Sequence, residues 1–136
     1  MSGTLTLVFG PMFSGKTTRL IETYEKHKDQ CIVINHSGDN RYSETHVSNH
    51  DQRMIPCIKV QTLMTLFDNI NTRTYFDHHN TVLIDEGQFF DDLIPFVLKL
   101  VEEKNIHVHV FTGVNTTART HFWCVKKRSR RTAIAH

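Results

Sequence analysis

Residues 10–17 read GPMFSGKT, and this octapeptide satisfies the pattern G-x-x-x-x-G-K-[ST]. Glycines let a backbone curl until successive N–H groups point inward at phosphate oxygens. A helix starting at the same place adds its positive N-terminal end. Lys16 is then placed to reach the β and γ phosphates of a nucleotide, and Thr17 to ligate magnesium. The flanks have the order that the motif needs. Residues 4–9 are a short, apolar, β-branched run that stops at Gly10-Pro11, as a buried strand does. Beyond Lys16, Leu20, Ile21 and Tyr24 fall at helical spacing, and the helix is expected to reach about Lys28.

Working outward, residues 31–35 (CIVIN), 81–84 (TVLI) and 106–111 (IHVHVF) read as further buried strands. Residues 54–60 read as another, weakened by Pro56, which lacks a ladder N–H. Helical periodicity marks residues 61–70 and 89–104, with Pro95 near the start of the second. Residues 36–53 are polar and are expected to form a long loop. Strands alternating with helices predict an α/β fold of the phosphate-loop NTPase type. Its parallel sheet has about five strands and helices on both faces.

A second element fits the first. In VLIDEGQFF, residues 82–90, four apolar residues are followed by acids, the pattern of a strand delivering a carboxylate to a magnesium site. Asp85 is the expected metal-side acid, acting through water, because magnesium keeps several of its waters. Glu86 is a candidate general base if the strand end turns both acids toward one pocket. Phe89 and Phe90 suit either a flat base or the core.

The rest of the composition sets limits. The chain has 136 residues, enough for one compact domain. Its net charge of +2 is too small to imply a nucleic-acid partner by itself. No stretch approaches the roughly 20 apolar residues of a membrane span, and with no charged region ahead of residues 4–9 no signal peptide is expected there. The three cysteines, Cys31, Cys57 and Cys124, include no Cys-x-x-Cys pair. That predicts reduced, cytosolic or nuclear thiols, with a cytoplasmic setting preferred, and no complete four-cysteine zinc site, hence no zinc in this chain. His36, His46, His50, His78 and His79 read as surface or loop histidines. The KKRSRR run, residues 126–131, reads as a solvated, disordered end.

Taken together, GPMFSGKT, GDNRY at residues 38–42, the His50-Asp51 pair and VLIDEGQFF resemble the thymidine kinases of the cytosolic and viral type. The resemblance covers about residues 4–117. It implies an ATP- and magnesium-dependent transfer of phosphate to the 5′-hydroxyl of thymidine or deoxyuridine. Gly10, Pro11, Met12, Phe13, Ser14, Gly15, Lys16, Thr17, Asp39, Arg41 and Gln88 match nucleotide-side positions. Thr17, Asp39 and Asp85 match the magnesium site, and Glu86 matches the base that accepts the 5′-hydroxyl proton. Met12 and Phe89 match residues lining the thymine pocket. The family is usually tetrameric.

The match fades after Thr117. Family members continue with Gly-Leu-Asn/Asp-Gly-x-Phe, where this chain has Gly113-Val114-Asn115-Thr116-Thr117-Ala118. The four-cysteine zinc domain and the loop that closes over thymidine have no counterpart here. Residues 1–117 are therefore expected to form the kinase core, with 118–136 an unmatched basic tail. A truncated, frame-shifted or degenerate copy is the expectation. The rival functions are an ATP-binding remnant without turnover and a nucleotide-gated nucleic-acid-binding module that uses the tail.

Overall fold

The computed structural model describes residues 3–9, 16–36, 43–48, 54–113 and 132–135. Among the described residues seven strands form one sheet: β1 (Leu5–Phe9), β2 (Cys31–His36), β3 (Ser43–Ser48), β4 (Met54–Val60), β5 (Thr81–Ile84), β6 (His107–Thr112) and β7 (Thr132–Ala135). Their order across the sheet is β3-β4-β2-β5-β6-β1-β7. Every pairing is parallel except the hairpin of β3 with β4. All five strands expected from the sequence are present, and the α/β class holds.

Two strands lie where none was expected. β3 sits within the polar stretch 36–53, where β4 supplies the apolar alternation and β3 only the hydrogen-bonding partner. β7 lies in the basic C-terminal stretch and pairs with β1 from Leu5↔Thr132 to Val8↔Ala135. Pro56 is tolerated because of where β4 is paired. It faces His46 of β3, and the ladder to β2 begins only at Ile58.

The period-2 alternation of the strands sorts side chains onto two faces. Leu5, Leu7, Phe9, Ile32, Ile34, Val82, Ile84, Val108 and Val110 line one face. Val8, Val33, Leu83 and Phe111 line the other, against Leu20, Ile21 and Tyr24 of α1 (Lys16–Lys26). On the first face lie α2 (Thr65–Asp68), α3 (Ile70–Arg73), α4 (Tyr75–His78) and α5 (Leu93–Leu98). There Phe67, Phe76 and Phe96 pack ring against ring, with centroids 5.0 to 5.8 Å apart. α1 carries the chain across the sheet from β1 to β2, and α2–α5 carry it back on the opposite face. Reversing face and direction together keeps the crossovers through α1 and through α2–α5 of one hand, the right-handed one that parallel connections take.

The helices differ in detail from the sequence expectation. Residues 61–70 do not form one helix. Asn69 is extended (φ −94°, ψ 121°), and its side chain accepts from the Asn71 N–H, so it caps a new turn. The expected 89–104 helix begins only at Leu93. Pro95 sits in its first turn, where its missing N–H costs nothing. It continues as a π-helical turn over Lys99–Glu103.

Under α1, His109 of β6 is half-buried, with the His27 ring 6.3 Å away. Burial, and then the neighbouring His27 and His107, push it down from 6.5 to about 4. Between those values the unfolded chain takes up a proton that folded His109 refuses. Its contribution is therefore complete above pH 6.5 and is lost as pH falls toward 4. Partial solvent access limits the loss to on the order of 2 kcal/mol. Urea midpoints of wild type and His109→Gln at pH 7.5 and 4.5 are expected to show the larger acid loss in wild type. Equal losses would remove His109 from the account.

Candidate functional site

In a parallel sheet the strands end together, and ligands bind outside those carboxyl ends. Among the described residues at this edge are the ends of β1, β2, β5 and β6, and the start of α1. The phosphate-loop residues Gly10, Pro11, Met12, Phe13, Ser14 and Gly15 lie outside the described residues, as do Asp39 and Arg41. What is described is their frame. β1 ends at Phe9 and α1 begins at Lys16, so a strand precedes the motif and a helix follows it, as the motif requires. Thr17, half-buried, follows in the first turn.

β5 delivers the acids. Thr81, Leu83 and Asp85 alternate toward the α1 face, so Asp85 leaves the sheet on the side where α1 starts. It is 7% exposed. Its N–H donates to the Ile34 carbonyl at 2.8 Å, which continues the β2–β5 ladder by one residue. Its Oδ1 accepts from the Glu86 N–H at 2.9 Å. The charge also reaches across to Cys57, whose thiol is pushed up to about 11, by burial first, with Asp85 adding and Lys59 opposing.

At Glu86 the chain breaks out of extended geometry. Its φ of 55° and ψ of 41° are left-handed. For a residue other than glycine that costs on the order of 1 kcal/mol and needs a surrounding structure that enforces it. A 3-10 turn, Gly87–Phe89, follows at once. Gly87 is buried, and a Cβ there would lie 2.7 Å from Cγ1 of Val110, a β-branched side chain held in the core. Gly87→Ala is therefore expected to lower stability by about 1–3 kcal/mol in urea denaturation. An unchanged midpoint would show that β6 yields freely.

The side chains of this turn lock to β6 and β2. Gln88 Nε2 donates to Glu86 Oε2 at 2.6 Å. Gln88 Oε1 accepts from the Gly113 N–H at 2.9 Å and from Thr112 Oγ1 at 3.2 Å. Phe89 and Phe90 diverge. Phe90 enters the core, whereas Phe89 is 58% exposed. His36, expected as a surface or loop histidine, lies in a strand. It ends β2, half-buried, with its ring 4.9 Å edge-on from Phe90 and 5.6 Å from Phe89. Asp92 accepts from the Leu63 and Met64 N–H groups at 3.1 and 2.7 Å, fixing the start of the α2 region against α5.

The structure thus brings Asp85, Glu86, Gln88 and Phe89 to one strand end, at the edge where α1 begins. His36, Thr112 and Gly113 belong to the same neighbourhood and were missed. The signal available for them was position alone, at the ends of β2 and β6. Among the described residues no three His, Cys, Asp or Glu side chains converge as a metal cage. One buried carboxylate and one threonine hydroxyl are hard oxygen donors, the kind of partial set that magnesium takes when substrate phosphates complete it. Among the described residues, no helix is long and apolar enough to cross a membrane.

A family model described as thymidine kinase matches residues 3–127, reaching past the limit of about 117 drawn from the motifs. Thymidine kinases of three poxviruses are among the similar proteins. That of monkeypox virus is 35% identical over 107 residues, covering 76% of this chain and 56% of the relative. That of vaccinia virus (strain Ankara) is 34% identical over the same shares. That of Yaba monkey tumor virus (strain VR587) is 39% identical over 99 residues, covering 70% and 50%. The chain spans about half the length of the curated relatives it matches. With the family model matching most of its residues and the two acids on the strand end that the motifs require, the chain belongs to the thymidine kinase family.

Proposed function

We propose that this chain transfers the γ-phosphate of ATP to the 5′-hydroxyl of thymidine or deoxyuridine. The observation that carries this reading is the Asp85–Glu86 pair at the carboxyl edge of the sheet, on the side where α1 receives the phosphate loop. Phosphoryl transfer asks for a phosphate cradle, cationic screening and a positioned acceptor rather than covalent chemistry from the protein. The loop backbone of residues 10–15 and the Lys16 ammonium cradle the phosphates, with Arg41 beside them. Thr17, Asp39 and Asp85 hold magnesium, which neutralises charge on the phosphates when bound.

Glu86 accepts the proton of the 5′-hydroxyl. An unprotonated carboxylate is acceptor-only, and the Gln88 bond occupies one of its two oxygens, leaving Oε1 for the hydroxyl. Phe89 offers an open ring for the flat base, and His36 backs it from the sheet side. Met12 completes the base contact from the loop. The assembly is taken to be a homotetramer, as in the family. Cys31 and Cys57 are free and buried, which supports a reducing, cytoplasmic setting.

Transfer of label from γ-labelled ATP to thymidine, with magnesium and with excess chelator, tests this reading. Magnesium-dependent thymidine monophosphate supports it. Bound ATP with no label transferred to any nucleoside overturns it. That second outcome is the alternative favoured by the exposure of Phe89, namely nucleotide binding with an acceptor side too open to turn over.

A further inference from the structure

We propose that Gln88 is a positioning residue on the acceptor side, a bridge that ties the Glu86 carboxylate to the end of β6. The inference rests on reading Glu86 as the base. It moves Gln88 away from the nucleotide, where the family resemblance put it.

The chemistry of its partners fixes which way the amide points. The Gly113 N–H can only donate, so it must meet the amide oxygen. An ionised Glu86 can only accept, so it must meet the amide nitrogen. Only one of the two amide flips satisfies both, and it is the one found. Thr112 adds a third tie. Its hydroxyl is fully buried, and Gln88 Oε1 lies 3.2 Å away as acceptor, with the Gly113 carbonyl at 3.3 Å as the alternative. Gln88 is thus held at its acceptor end by two groups of β6 and its exit. Its donor end faces a left-handed residue whose conformation has to be enforced from outside. The bridge enforces it and fixes one carboxylate oxygen, so the other keeps a single direction. Misdirection of a base by about 1 Å costs on the order of 100-fold in rate.

The test uses the full chain and two readouts. The first is hydrogen exchange of the Gly113 amide, read by NMR, with the Val108 amide, bonded to the Thr4 carbonyl, as internal control. Gln88→Met, close in shape but without either hydrogen bond, is expected to raise Gly113 exchange about 10-fold and leave Val108 unchanged. Glu86→Ala is expected to raise Gly113 exchange as well, although it touches neither Gly113 nor its bond. The double variant should exchange no faster than Gln88→Met alone. Gly113 exchange at the wild-type rate in Glu86→Ala would mean that β6 holds Gln88 without Glu86, and the bridge would be overturned.

The second readout is steady-state transfer. Gln88→Met should lower kcat about 10- to 100-fold while KM for ATP stays within about twofold. Gln88→Asn, which keeps the amide on a stem one carbon shorter, should fall between and guards against a folding defect. A raised KM for ATP at unchanged kcat would place Gln88 on the nucleotide and overturn the proposal. Should wild type transfer phosphate to no nucleoside, the base reading fails, and Gly113 exchange still decides the bridge.

Discussion

Glu86→Gln is expected to lower phosphate transfer to thymidine by roughly 100- to 10,000-fold, with ATP affinity within about twofold of wild type. The substitution keeps the size and the left-handed position of the side chain but removes the proton acceptor. An amide oxygen still accepts the 2.6 Å bond from Gln88, so the turn survives. The groups proposed for the nucleotide side, Lys16, Thr17 and Asp85, are untouched. Loss of rate with retained ATP binding therefore isolates proton transfer from phosphate positioning. Steady-state kinetics with a separate ATP titration checks it. Retention of more than half the wild-type kcat would take the base role from Glu86.

The second large effect is on the donor side. Lys16→Met is expected to weaken ATP binding by about 10- to 150-fold, measured by calorimetry. In the proposed site the ammonium acts as a point charge for the β and γ phosphates, and a charge-assisted contact of this kind is worth about 1.5–3 kcal/mol. α1 itself should persist, because it is held by Leu20, Ile21 and Tyr24, a turn or more along from Lys16. Thermal melting without nucleotide should match wild type, while stabilisation by ATP, which follows from preferential binding to the folded state, should be clearly smaller than in wild type at the same ATP concentration. ATP stabilisation equal to wild type would show that the phosphates bind elsewhere.

These expectations rest on parts of the fold that the sequence exposed to different degrees. β1, β2, β4, β5 and β6 were legible because buried parallel strands are continuous apolar runs. β3 was not, since SETHVS is a polar hexapeptide that earns its place by pairing with β4. β7 was hidden for a similar reason: TAIA is four residues long and gains its order from β1. The 61–70 periodicity was real, as burial of Leu63, Leu66 and Phe67 shows. It broke at Asn69 because a side-chain cap competed with continuation of the helix.

The site divides in the same way. Asp85 was legible because it ends an apolar strand. Its orientation toward α1 needed the alternation of β5 and the face on which α1 packs. The left-handed turn at Glu86 had no sequence signal, since left-handed residues are usually glycine and Gly87 sits one place later. His36, Thr112 and Gly113 were missed because their roles are bonds and ring contacts across the sheet edge, from residues far apart in the chain. Gln88 was singled out through DEGQFF and the family resemblance, but its three hydrogen bonds, to Glu86, Thr112 and Gly113, had no sequence signal.

The central claim is that one carboxyl edge combines a nucleotide-binding donor side with a nucleoside acceptor side. Incubation with γ-labelled ATP and magnesium, offered thymidine, deoxyuridine, deoxycytidine, deoxyadenosine and deoxyguanosine in parallel, tests it most directly. The account predicts label on thymidine and deoxyuridine, little on the other three, and none on any of them with Glu86→Gln. Saturable ATP binding with no label on any nucleoside would contradict it.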